Sequence, residues 1–133
     1  MPARYLPDDM SPEHDDELEP LDAQALARLR ELDPDGRQGV VQRVLAAYDT
    51  SLTRMIVQLR LQAEAPDADV VAGIVHTLKS SSASVGALAL ARDCADLEAR
   101  LRGGLAADLR HDIDRIVALA EAAQRAAAAI LRP

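Results

Sequence analysis

Between Arg37 and Ala65, the apolar residues Val41, Leu45, Tyr48, Leu52, Met55 and Leu59 succeed one another at alternating steps of four and three. That rhythm is the a/d seam of a helix packed against other helices. It excludes a strand, whose apolar side chains recur at every second position. A coiled-coil dimer uses the same seam, but this stretch covers barely three heptads and further amphipathic segments follow it. An internal bundle is therefore expected, with this longest helix as its inner wall.

The remaining segments fit that wall. A short helix is expected over 21–32, with Asp22 as its N-cap and Asp33-Pro34-Asp35-Gly36 as its stop. Ala65-Pro66-Asp67 breaks the long helix, and Asp67 or Asp69 suits the N-terminal dipole of the next, which ends near Gly86. Leu90, Cys94, Leu97 and Leu101 stripe a helix from Leu88 to Arg102, which Gly103-Gly104 ends. The last helix is expected from Leu105 to Leu131, with Leu105, Leu109, Ile113, Ile116, Ala120, Ala123, Ala127 and Ile130 inward. A chain with no Phe or Trp and two Tyr builds its core from Leu, Val, Ile and Ala, which favours packed helices over a β-sandwich. The expected fold is all-α, an antiparallel up-down-up-down four-helix bundle with a short additional N-terminal helix. It occupies residues 21–133. Residues 1–20, with seven acidic side chains and four prolines, read as a separate, disordered acidic tail.

Drawn as a helix, Val70 to Val85 carries Val71, Ile74, Val75, Ser82 and Val85 within about 60° of Leu78, on its buried face. His76 falls about 160° away, on the solvent side. Its neighbours there are Ala72, Gly73, Ser80 and Ala83, all small, and they mark a surface on which a partner can close. Lys79 lies at i+3, within reach of whatever the imidazole carries. By geometry alone, such a histidine is an ordinary surface residue.

The surrounding string says more. His76-Thr77-Leu78-Lys79-Ser80-Ser81-Ser82, then Gly86-Ala87, then Cys94, Leu97 and Glu98 on the following helix, resembles the signature of histidine phosphotransfer (HPt) domains. Ser80 stands where glycine is commonest, a small residue for a smaller one. The resemblance covers about residues 21–131 and implies the same bundle architecture. It implies a phosphorelay intermediate in which His76 accepts a phosphoryl group from a receiver-domain aspartyl phosphate and passes it to another receiver. Lys79 would then neutralise charge on the transferred oxygens. Glu98 matches the position from which a Gln or Glu approaches the histidine ring, and would set its tautomer; otherwise it is an exposed helical glutamate. The implied partners are receiver domains of response regulators or hybrid kinases, which would bring the Mg²⁺. No carboxylate cluster here resembles a site for that ion.

Composition narrows the alternatives. Twenty-two acidic against fifteen basic residues, a formal charge of −7, argue against nucleic acid or an anionic membrane as the partner. No apolar run nears the roughly 20 residues that span a bilayer, and MPARYLPDDM lacks the core of a signal peptide. Cys94 is the single cysteine and is read as a core residue, so a cytoplasmic monomer is expected. Without a Walker A loop or a glycine-rich ATP lid, the chain should not phosphorylate itself from ATP. His14 in the tail and His111 beside Asp112 are read as solvated. The competing readings are a non-catalytic helical adaptor and a metal- or haem-binding bundle; the latter needs inward ligands, and His76 points outward.

Overall fold

Five helices form among the described residues, 19–132 of the computed structural model: α1 (Ala23–Glu31), α2 (Val40–Glu64), α3 (Ala68–Ser84), α4 (Leu88–Arg102) and α5 (Leu109–Leu131). No strand occurs among them. The acidic tail lies outside the described residues except for Glu19 and Pro20, both exposed. Helix α2 packs along α5 and α3 along α4, the other faces close the bundle, and α1 rests on α2. The expected seam lies in the core: Val41, Leu45, Tyr48, Leu52, Met55 and Leu59 are all buried. They meet Val71, Val75 and Leu78 of α3, Leu90, Cys94 and Leu97 of α4, and Ile113, Ile116, Ala120, Ala123 and Ala127 of α5.

Asp22 caps α1 by accepting from the Ala25 N–H, and Asp67 caps α3 by accepting from Asp69 and Val70, as their side chains dictate. Two boundaries differ from the sequence expectation. Helix α2 begins at Val40, not Arg37. The run of turns before it is organised by buried Asp33, whose carboxylate accepts from the N–H groups of Gln38 and Val40. Burial alone would raise the Asp33 carboxyl, but those backbone donors outweigh it and hold it below the usual aspartate value. Helix α5 begins at Leu109, and Leu105 is 72% exposed rather than inward. Leu105 belongs to the end of α4: its N–H reaches the Arg100 carbonyl while that of Gly104, at φ +70°, reaches Leu101. This is a Schellman turn, and it leaves Asp108 to cap α5 through the His111 N–H.

The turn from α3 to α4 is built the same way, with Ala87 N–H on the Ser82 carbonyl and Gly86 N–H on Ala83. Gly86 has φ +82°, and its carbonyl accepts from the Asp22 N–H at 2.8 Å. A Cβ there would stand 2.6 Å from Ala25 Cβ and 3.0 Å from Asp22 N. Gly86→Ala should therefore cost about 1 kcal/mol for the left-handed backbone, and roughly 2 kcal/mol more for pushing α1 away. Thermal unfolding should show a Tm lower by about 10 °C. Gly104→Ala, where φ is +70° but no atom lies within 4 Å, carries only the first term. Equal losses in the two variants would show that α1 gives way freely.

Ser82 lies in the core as expected, but its hydroxyl does not turn back to its own helix. It pairs with Tyr48 Oη across the α2–α3 interface at 2.8 Å. Burial pushes the tyrosine up to about 12, the serine bond opposing, so the pair stays neutral at working pH. The back-bonding is done by Ser81, to Thr77 and Leu78, and by Ser84, to Ser80.

Candidate functional site

The buried face of α3 fixes where its outer face points. With Val71, Val75, Leu78 and Ser82 fully buried, His76 projects on the far side with its side chain 57% exposed. The α3–α4 turn lays α4 antiparallel beside it. On α4 the core stripe of Leu90, Cys94 and Leu97 is bordered by Glu98, one turn after Cys94 and facing α3. Glu98 is therefore not an exposed helical glutamate. Its side chain is only 6% exposed, and its carboxylate lies between the two helices.

A carboxylate held away from water needs donors, and this one has three side chains. Oε1 accepts from Lys79 Nζ at 2.7 Å; Oε2 accepts from His76 Nδ1 at 2.8 Å and from Arg102 Nη2 at 2.6 Å and Nε at 3.2 Å. Lys79 and Arg102 hold the Glu98 carboxyl down at about 2, with the imidazole adding to them against the opposing effect of burial. An ionised carboxylate can only accept, so His76 Nδ1 carries a proton, and in the neutral form of the ring the lone pair lies on Nε2. Nδ1 is turned toward the protein, so the exposed edge of the ring is the one that bears Nε2. Cys94, one turn before Glu98, is a buried thiol pushed up to about 12 by desolvation and by the acidic groups near it. It stays protonated and serves as core.

The shifted carboxyl has a consequence for stability. Its value in the folded protein lies below the ordinary 4.5, so ionised Glu98 contributes stability that is complete above that pH. The contribution is lost as pH falls from about 4.5 toward about 2. Thermal melts between pH 6 and pH 2.5 should show a steeper acid loss for the parent than for Glu98→Gln. Parallel curves would mean the three donors do not hold the carboxylate in solution.

Of the residues singled out from sequence, the structure brings His76, Lys79 and Glu98 together. Ala72 and Gly73 join His76 in a groove of about 340 Å³, which runs toward Ala68 and Asp69 on α3 and is walled by Leu101 and Arg102 of α4; Lys79 and Glu98 do not line it. A Cβ on Gly73 would meet nothing within 4 Å, so packing does not require glycine there. Ser80 and Ala83 are exposed further along α3, outside that groove. Arg102 is the site residue that sequence reasoning missed. Its signal was present as the i, i+4 spacing from Glu98, which on a helix brings acid and base together. Among the described residues, no three His, Cys, Asp or Glu side chains gather as a metal site, and no helix is long and apolar enough to cross a membrane.

The model of the family described as Hpt domain matches residues 39–129, about two-thirds of the chain. The chain belongs to the Hpt domain family. It is a histidine phosphotransfer protein of a phosphorelay, and Hpt domains relay phosphoryl groups to and from receiver domains rather than acting as kinases. The match takes in α2 to α5 almost entirely and leaves α1 outside. Among solved structures, the Hpt chain is similar to the crystal structure of histidine-containing phosphotransfer protein B from Pseudomonas aeruginosa PAO1. The TM-score is 0.72 and the identity 22%, over 84% of this chain and 94% of that one. At that identity the likeness speaks for the fold, five helices around one core. No curated protein sequence matches the chain.

Proposed function

We propose that His76 is the phosphoacceptor, that it takes its phosphoryl group from an aspartyl phosphate on one receiver domain, and that it passes it to another. The observation that carries this reading is the 2.8 Å contact of His76 Nδ1 with the buried Glu98 carboxylate, which leaves the nucleophilic lone pair on the exposed nitrogen. A pure adaptor has no need of a histidine held in one tautomer.

The chemistry then follows without a proton transfer. The Nε2 lone pair attacks phosphorus, the P–O bond to the receiver's aspartate breaks, and its electron pair leaves on that carboxylate. The ring now bears Nδ1–H and Nε2–P. In the return step a receiver carboxylate oxygen attacks phosphorus, the N–P pair goes back to Nε2, and a neutral imidazole departs. Had Nδ1 lost its proton, the leaving group would be an imidazolate, a far stronger base. Catalysis of this kind rests on alignment and on neutralising the equatorial oxygens. Lys79, at i+3, supplies one cation; the receiver supplies Mg²⁺ and the pocket around its aspartate. The small residues Ala72, Gly73, Ser80 and Ala83 keep the approach to Nε2 clear for the receiver's loops.

The protein acts as a monomer in the cytoplasm and has no ATP-dependent activity of its own. The test is incubation with a receiver carrying aspartyl phosphate. Acid-labile, alkali-stable label should appear on this chain, and the peptide bearing it should contain His76. Absence of such label with every receiver of the source organism would overturn the reading.

A further inference from the structure

Glu98 holds two cations where one would neutralise it. Lys79 reaches it from α3, and Arg102 reaches it from the next turn of α4 with two nitrogens on one oxygen. The two are placed differently. Lys79 shares a helix face with His76 and is 35% exposed; Arg102 is 66% exposed, but its i, i+4 spacing fixes it to Glu98 within one rigid helix. In this arrangement, Lys79 is occupied by Glu98 before any phosphoryl group has arrived.

We propose that Arg102 is a positioning residue that takes over Glu98 so that Lys79 can turn to the phosphoryl group. The inference rests on His76 as the acceptor. A neutral imidazole, Glu98, Lys79 and Arg102 together carry a net charge of +1. Transfer adds a phosphoryl dianion on Nε2 and leaves the ring, with Nδ1–H and Nε2–P, formally cationic. Lys79 then has a stronger anion beside it. If it left Glu98 alone, the carboxylate would keep only the ring N–H in a site closed to water, and an under-compensated buried charge is costly. Arg102 removes that cost. Its guanidinium needs no movement, because its bonds to Glu98 are already made.

The charged groups that face the ring are Lys79 and Asp69 from α3 and Glu98 and Arg102 from α4. Tyr48 of α2 and Cys94 of α4 lie on the buried side and remain neutral. Lys79 and Arg102 are the two cations: Arg102 lines the groove with His76 but grips Glu98 with two nitrogens from its own helix, whereas Lys79 reaches Glu98 with one nitrogen from the helix that carries His76. The exchange therefore has one direction.

A double-mutant cycle in transfer rate tests it, with an aspartyl-phosphorylated receiver at saturation and at low concentration. The parent must label first; if it does not, the acceptor assignment has failed and the cycle is not the reason. Arg102→Gln should slow the saturating rate about five- to tenfold with the half-saturating receiver concentration changed less than about twofold. Lys79→Ala should slow the parent by about 30-fold but the Arg102→Gln chain by only about threefold, because its lysine is already tied down. Arg102→Lys should recover most of the rate. Nitrogen NMR should show the Nδ1–H tautomer of His76 unchanged in Arg102→Gln, which separates this role from ring orientation. Equal factors for Lys79→Ala in both backgrounds would overturn the proposal. So would a loss in receiver affinity alone, which would make Arg102 a docking residue.

Discussion

His76→Gln should abolish phosphoryl uptake, lowering label on the chain at least about a thousandfold while the helical circular dichroism stays that of the parent. A glutamine amide lacks the lone pair of an imine-type nitrogen and forms no phosphoramidate under these conditions. The fold should tolerate the change because the ring is more than half exposed; such surface substitutions usually fall within about 0.5 kcal/mol. The glutamine amide also has N–H donors with which to replace the bond to Glu98. Two other histidines are available to take label, His14 outside the described residues and His111 exposed on the first turn of α5. Neither has the surrounding motif, and label persisting at parent level on the mutant would move the site to one of them.

Lys79→Ala should slow transfer by roughly ten- to a hundredfold with the helices intact. An exposed ion contact is worth about 1 kcal/mol, and more where a docked partner excludes water, which gives that range. Glu98 keeps Arg102 and the ring as donors in this variant, so the carboxylate is not stranded and Tm should fall by only a few degrees. Rapid-mixing measurement at saturating receiver distinguishes the loss from weaker docking. An unchanged saturating rate would remove Lys79 from the chemistry.

The long-range architecture was legible in the order of apolar residues. The seam from Val41 to Leu59 lies in the core because its rhythm of four and three admits one buried stripe and no other. Helix ends were less so. Leu105 has the spacing of an inward residue, yet the left-handed Gly104 turns its N–H to Arg100 and leaves its side chain in water. The site divides along the same line. His76 and Lys79 share one helix, so their geometry follows from three residues of spacing. Glu98 touches them only because α4 packs beside α3 in one particular register. No periodicity within α4 distinguishes a glutamate on the rim of a stripe from one facing solvent. The Tyr48–Ser82 bond shows the same limit: each residue announced its burial, but the pairing belongs to the α2–α3 interface.

His76 and Glu98 stand 22 positions apart, on either side of a three-residue turn, and Lys79 and Arg102 lie within the same hairpin. The reacting constellation is therefore local in the chain, and closing so short a loop costs little conformational entropy. Contacts so local in sequence are of the kind that speeds folding, unlike the longer-range α2–α5 pairing. The site's own contacts therefore lie within one helical hairpin, which is held in turn by the shared core and by the Tyr48–Ser82 bond. What can disturb it is whatever loosens the Gly86 turn, where Asp22, just ahead of α1, bonds the carbonyl that joins the two site helices.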